Sequence, residues 1–340
     1  MFKKLEGTTK MKPNATSLSI AIRRELVFHD RQTVADISEA TGHSFPTVKK
    51  HLERMRTAGE VNEQGLTPST GGRPATRYVF NPSAANGLCA YIEQDVIAYR
   101  RIDAIGTTLE KGRMAIRHGN HLQTLFDLLA SQLASHSIQA ITIGVAAAVA
   151  DGEIIYAPDY PTLSDVALTT LLESTFDVPV VVENDMNAAV YGYGRSVPTY
   201  ADETIVYVYL GKNGPGSGIL LNGRLLRGKT NFTGEISFLP FYAHHTFYDR
   251  IRNHQRGTPL TDQACDALAR LVTTFTATLN PHTIVFSDID VTEEDIRRVR
   301  KRSERYIAAT HLPDLTRGLW EEHYFQGLIT FCVETLLETI

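Results

Sequence analysis

Four residues in one short stretch, Ser44, Thr47, Lys49 and Lys50, combine hydroxyls that can reach base edges with cations that can neutralise phosphates. A helix that reads a duplex needs this mixture: hydrogen-bonding side chains in its first turn, and Lys or Arg beside them for the backbone. Along TVKKHLERMRTAG, Val48, Leu52 and Met55 recur on one face for packing, whereas Thr47, Lys50, His51 and Arg54 form a polar and basic stripe. Further on stands Gly71-Gly72-Arg73-Pro74. Glycines let a backbone approach DNA closely, and an arginine held by a following proline suits a narrow minor groove. The candidate DNA-contacting residues are therefore Ser44, Thr47, Lys49, Lys50, Arg54, Gly72, Arg73 and Pro74.

Short helices must position these groups. Leu18, Ile22 and Leu26 recur at helical spacing, and Val34, Ile37 and Ala40 begin a second apolar set behind Thr33, an expected N-cap. Gly42 stops that second helix. Ser44 is then expected to cap a third, with Pro46 in its first turn, where a missing N–H costs nothing. After Gly59, VNEQGL and TRYVFNP read as two brief strands that form a wing. Residues 1–82 hold 13 Lys+Arg against 8 Asp+Glu, net +5, which leaves −9 for the remainder. The basic end is the one whose pattern suits a polyanion.

The chain has 340 residues, 43% of them apolar and 21% charged, enough for a core in each of two or three domains. It contains no apolar run of the roughly 18 residues that a membrane span needs. Cys89, Cys265 and Cys332 stand far apart without a CxxC pair, which argues against a disulfide framework or a cysteine-rich zinc site and for a reducing cytoplasm. The start, MFKKLEGTTKMKPN, lacks the apolar stretch of a secretory signal. From residue 87 strands alternate with helices: GLCAYIEQDVIAYRRID, LQTLFDLLASQLAS, AITIGVAAAV and VPVVVEND come first. A second half then repeats the theme. That pattern predicts an α/β fold of two similar halves with a cleft between them.

VPVVVENDMNAAVYGYG (178–194), IVYVYLGKNGPGSGILLNGRLLRG (205–228) and NFTGEISF (231–238) resemble, in order and spacing, successive motifs of the ROK family, which groups sugar kinases with sugar-responsive repressors. LNPHTIVFSD (279–288) extends the resemblance over most of residues 87–340, and GGRPATRYVFNP resembles the wing of the family's repressor branch. The resemblance implies a two-lobed, actin-like ATPase-type fold behind a winged helix-turn-helix. On that view residues 1–82 are a DNA-binding domain and 83–340 a ROK-like domain. Lobe one would be about 83–195 plus a C-terminal helix at about 323–340, and lobe two about 196–322. Carried over position by position, Asp185 matches the family's catalytic aspartate, and Asn184 and Glu235 match ligands of sugar hydroxyls.

Other positions depart from the kinase pattern. The family's kinases have an acidic-glycine-threonine turn near residue 92, where this chain reads YIEQDVIAYR without a glycine, so its backbone cannot wrap a phosphate as closely. Pro215, inside Gly211 to Gly218, removes one N–H of the second phosphate loop. Ala146, Ala147 and Ala148 replace a Pro-Gly that shapes the sugar pocket, and Ser287-Asp288 replaces a Gly-Gly by the adenine site. Phe238 stands where the family has a histidine, and no cysteine lies between Glu235 and Cys265, so the family's zinc ligands are missing. His244, His245 and His254 are read as packing or surface histidines, the adjacent pair pointing to opposite faces of a strand. TEEDIRRVRKRSERY reads as an exposed helix with a solvated charged face.

These features lead to the expectation of a cytoplasmic, DNA-binding transcriptional regulator of the repressor type. It would be a homodimer or homotetramer on a double-stranded operator, without kinase activity, catalytic residue, metal, cofactor or membrane partner. Asp185 has two readings, a contact to a sugar or sugar-phosphate effector together with Asn184 and Glu235, or a relic carboxylate satisfied at a strand end. Tyr156, Tyr160, Tyr191 and Tyr193 are expected near the cleft as infill, and a filled cleft would mean no effector. The alternative function is an active ATP-dependent sugar kinase.

Overall fold

A computed structural model describes residues 15–66, 75–117, 119–157, 160, 162–211 and 214–340. It begins with α1 (Ala15–Phe28), the short strand β1 (Gln32–Thr33), α2 (Val34–Thr41) and α3 (Phe45–Thr57). The Thr33 hydroxyl accepts from the Asp36 N–H while the Asp36 carboxylate accepts from the Thr33 N–H, a complete capping box that fixes where α2 starts. Gly42, at φ 68°, ends it in the left-handed region. Leu18, Ile22, Leu26, Val34, Ile37, Val48, Leu52 and Met55 close the core between the helices. Ala40, expected to join them, is exposed, because α2 has only eight residues and its last turn extends beyond the packing partner. The strands β2 (Val61–Leu66) and β3 (Thr76–Phe80) pair antiparallel, and β1 adds to β3, which gives a head of three helices and a three-stranded antiparallel sheet.

Behind this head come β4 (Asn86–Glu93), β5 (Val96–Asp103), β6 (Thr108–Ala115), α4 (His121–Ser135), β7 (Ala140–Val145), β8 (Ala148–Ala150), β9 (Glu153–Tyr156), α5 (Leu168–Phe176), β10 (Val180–Asn184) and α6 (Asp185–Arg195). The chain continues with β11 (Ile205–Tyr209), β12 (Gly216–Leu221), β13 (Arg224–Leu225), α7 (Phe247–Ile251), α8 (Asp262–Leu279), β14 (Thr283–Ser287), α9 (Glu293–Ser303), β15 (Asp314–Gly318) and α10 (Trp320–Thr339). Two five-stranded sheets result, in the orders β6-β5-β4-β7-β10 and β13-β12-β11-β14-β15. Each is an antiparallel meander continued by two parallel strands, so the two halves repeat one topology. Central strands with helices on both faces must be apolar along their whole length, as AITIGV of β7 and IVYVY of β11 are. In α9, Ile296 and Val299 turn inward while Arg297 pairs with Glu294 at 2.7 Å on the solvated side.

The seam between the halves is the crossing of α6 and α10. A Cβ at Gly192 would run into the His323 carbonyl, and one at Gly327 into the Ala188 carbonyl. Glycine at both points lets the two backbones meet. The apolar cluster of this seam is continuous with the core of the head. Arg23 of α1 donates to the Leu337 carbonyl (2.9 Å) and to Glu60 (2.9 Å), Arg24 pairs with Glu338 (3.1 Å), and the Arg195 guanidinium sits 4.7 Å from the centroid of the Phe28 ring. The head is thus fixed to the far ends of α6 and α10.

Candidate functional site

Where β10 ends and α6 begins, Glu183, Asn184 and Asp185 project toward the space between the sheets. Asn184 is the N-cap: its Oδ1 accepts from the Asn187 N–H at 3.0 Å, and its Nδ2 donates to the Ala147 carbonyl and to Asp185 Oδ1, both at 3.0 Å. Its amide is largely engaged in holding the turn. Asp185 Oδ1 also accepts from the Met186 N–H at 2.8 Å. Burial, with the charges of Glu235 and Glu93 adding to it, pushes the Asp185 carboxyl up to about 7. Glu235, from the loop after β13, faces the same cavity without a donor or cation among the described residues, and burial holds its carboxyl above the usual range. The structure thus brings Asn184, Asp185 and Glu235 onto one cavity of about 80 Å³.

Sequence reading missed several residues of that wall. Arg227 reaches Glu183 with two parallel bonds, 2.9 and 2.7 Å, and so neutralises the one carboxylate of the group that has a cationic partner. Asn231 and Ser237, from the segment after β13, and Tyr209, at the end of β11, line the cavity too, brought there by an approach that no local pattern encodes. The infill expected of four tyrosines is corrected. Tyr156 stands in the cavity wall, but Tyr160 is buried against His121, Tyr191 stacks on Phe331 at 4.8 Å, and Tyr193 meets His323 edge-on at 5.2 Å. Both α6 tyrosines turn to α10 because their side of that helix faces the seam, and the cavity stays open.

Next to it lies the β4–β5 turn, where the resemblance implies a kinase's phosphate turn, and there the Gln94 N–H is already engaged. Gln94, at the β4–β5 turn, donates its N–H to the Tyr160 hydroxyl at 3.0 Å, and its carbonyl accepts from His121 at 2.8 Å. Tyr209 donates to Glu93 at 3.1 Å, joining one half of the molecule to the other, and stacks on Trp320 with ring centroids 3.8 Å apart. Arg256 donates to the Tyr209 hydroxyl and pairs with Asp290. Asp288 accepts from the Trp320 N–H at 2.9 Å, which makes it the anchor of α10. Nor does the donor set fit the zinc site that the resemblance implies: Phe238 is 53% exposed, His254 donates to the Asp290 carbonyl at 2.8 Å, and His245 faces Asp249. His244 and His245 lie in a tight turn, not in a strand as expected, because Tyr242 and His245 pair across it.

On the head, Ser44, Thr47, Lys49, Lys50 and Arg54 are all exposed on α3. Ser44 holds the N-cap position without capping: its hydroxyl meets that of Thr47 at 2.8 Å, because Pro46 in the first turn leaves fewer N–H groups to bind. His51, expected on the outward stripe, is half-buried beside the Ser19 hydroxyl at 3.2 Å, since α1 crosses that side of α3. Gly72, Arg73 and Pro74 lie outside the described residues.

Comparison with known proteins agrees with this architecture. The sequence profile of the ROK family matches residues 97–246. The xylose repressor of Bacillus subtilis (strain 168) is 26% identical over 231 residues, which cover 64% of this chain and 58% of the repressor. A putative xylose repressor of Caldicellulosiruptor sp. (strain Rt8B.4) is 28% identical over 234 residues, covering 65% and 57%. The chain thus spans less than two thirds of the length of these relatives. Among solved structures, a ROK family transcriptional regulator described as a homolog of the E. coli MLC protein superimposes with a TM-score of 0.72 at 14% identity, over 94% of this chain and 96% of that one. The ROK hexokinase of Thermus thermophilus gives 0.58 at 19%, over 73% and 97%. The latter covers less of this chain than the regulator, whose match is long enough to reach into the head as well as the body. The ROK profile thus matches from the first repeat into the second, and the chain shares the fold of a ROK family regulator over nearly its whole length.

Proposed function

We propose that this protein is a sugar-responsive transcriptional repressor, in which residues 1–82 grip DNA and residues 83–340 sense a sugar and hold two or more copies together. One observation carries the reading: α6, a single helix of 11 residues, has the cavity at its N-terminus and the head at its C-terminus. At about 1.5 Å per residue it is a rigid strut of roughly 16 Å. A sugar whose hydroxyls donate to Asp185 and Glu235 would draw the loop after β13 toward β10 and tilt this strut. The head, bonded to Leu337 and Arg195, would follow, and the spacing of two heads on one operator would change. The repressor-named relatives support this reading, and so does the exposed cationic face of α3. A cytoplasmic location goes with it; among the described residues no helix is long and apolar enough to cross a membrane.

Kinase activity needs backbone N–H groups free to cradle phosphates. The engaged Gln94 turn, Pro215 and the Glu93–Tyr209 contact across the phosphate region speak against it. Turnover of ATP in a coupled assay with mixed sugars would overturn that part.

Selection of bound duplexes from a random pool, followed by titration with xylose, hexoses and their phosphates, tests the whole proposal. A palindromic site released by one unphosphorylated sugar is the expected outcome, because the uncompensated carboxylates of the cavity repel a phosphate. On the selected site, Lys50→Ala should weaken binding on every sequence and reduce the slope of log affinity against log salt by about 0.9. Arg195→Ala should leave DNA binding and sugar binding intact in separate titrations and reduce the effect of one on the other.

A further inference from the structure

Among the described residues, most exposed phenylalanines are covered in part. Phe28 lies under the Arg195 guanidinium, and Phe232 and Phe238 cover each other with ring centroids 5.4 Å apart. Phe45 has neither kind of cover among the described residues and is 51% exposed. A single exposed apolar side chain needs no explanation by itself, but the position of this one does. Phe45 is the first residue of α3, and the tip of such a helix is the part that reaches base edges. Pro46, also exposed, follows it, so the tip is an apolar pair set among Ser44, Thr47 and Lys49. The ring also lines, with Thr33, Ala35, Lys49, Thr76 and Tyr78, a shallow groove between α2, α3 and β3. About half of its surface is turned to solvent.

Hydroxyls and cations on the same turn can contact phosphates or base acceptors, and a phenyl ring can do neither. In the major groove the apolar feature within reach of such a ring is the C5-methyl group of thymine, which phenylalanine contacts in direct readout.

We propose that Phe45, backed by Pro46, reads a thymine methyl group in each half-site and so fixes one base of the operator. This inference rests on the DNA-binding reading given above, and its test separates the two.

Duplexes are selected from a random pool with the full chain and with Phe45→Ala. The expected result is one thymine per half-site that the native protein demands and the variant tolerates in any form, with the rest of the site unchanged. That thymine is then replaced by deoxyuridine, which differs only in lacking the methyl group. Native affinity should fall roughly fourfold per methyl group removed, the factor that corresponds to about 0.8 kcal/mol per buried carbon, while Phe45→Ala should bind both duplexes alike. The deoxyuridine experiment uses the native protein, so it stands even if the variant folds poorly. Native binding indifferent to deoxyuridine, or a thymine still demanded by Phe45→Ala, overturns the proposal and leaves DNA binding in place. Failure to select any duplex overturns both.

Discussion

Asp185→Asn should make the protein more stable at pH 8 by up to about 4 kcal/mol, leave it unchanged near pH 4, and abolish the response to sugar. The Asp185 carboxyl is pushed up to about 7, chiefly by burial and further by Glu235 and Glu93. In the unfolded chain it titrates near its ordinary value of about 3.9. Between these two values the folded state holds a proton that the unfolded state has lost, so this group's contribution to stability falls as pH rises from about 4 to about 7, and is constant above. Each unit corresponds to about 1.36 kcal/mol, and three units to about 4. Asparagine keeps an oxygen for the Met186 N–H, bonded at 2.8 Å, and carries no charge at any pH. Urea unfolding of both proteins at pH 4, 6 and 8 checks this, with a smaller slope left in the variant from Glu235. Parallel stability curves for the two proteins would show that the buried carboxyl is not the titrating group. On the proposed reading the stability gained and the sugar response lost have one origin, a buried carboxyl with no cationic partner among the described residues.

Gly327→Ala is expected to cost at least the roughly 3 kcal/mol at the upper end of overpacking effects, because the added methyl group meets backbone, which cannot rotate away. The Ala188 carbonyl occupies the space of that Cβ, and Gly192 faces the His323 carbonyl in the same crossing. Any relief moves α10 away from α6. Since Leu337 and Glu338 of α10 hold Arg23 and Arg24 of the head, the displacement also loosens the head. Chemical denaturation should show the loss in midpoint. Variant that remains folded at low temperature should still bind sugar but no longer release DNA in response. A Gly327→Ala protein with native stability and a native response would mean that the seam is not the route between cavity and head.

Much of this architecture could be read from local patterns, since each was short in range. The capping box of Thr33, the stop at Gly42, the apolar faces of α1 and α3, and the antiparallel pair around the wing are decided within a few residues by hydrogen bonding and periodicity. The repeat of strands from residue 87 onward likewise showed an α/β body of two halves. Ser44 and Ala40 departed from expectation where a neighbouring proline or a short helix altered the local outcome. The tyrosines departed for a different reason: Tyr191 and Tyr193 lie on α6, and only the position of α10 decides that they face a seam and not the cavity.

The sequence by itself determined which elements form, that one end is basic, and that Asn184, Asp185 and Glu235 are polar groups at turns following apolar strands. Only the tertiary structure decided that Glu235, 50 residues downstream of Asp185, shares its cavity, that Arg227 neutralises Glu183 and leaves those two uncompensated, and that Glu93 and Tyr209 meet across the two halves. Caps and helical faces follow from neighbours in the chain. The charge balance of a cavity depends on which distant side chains burial brings within a few ångströms, and no local periodicity encodes that.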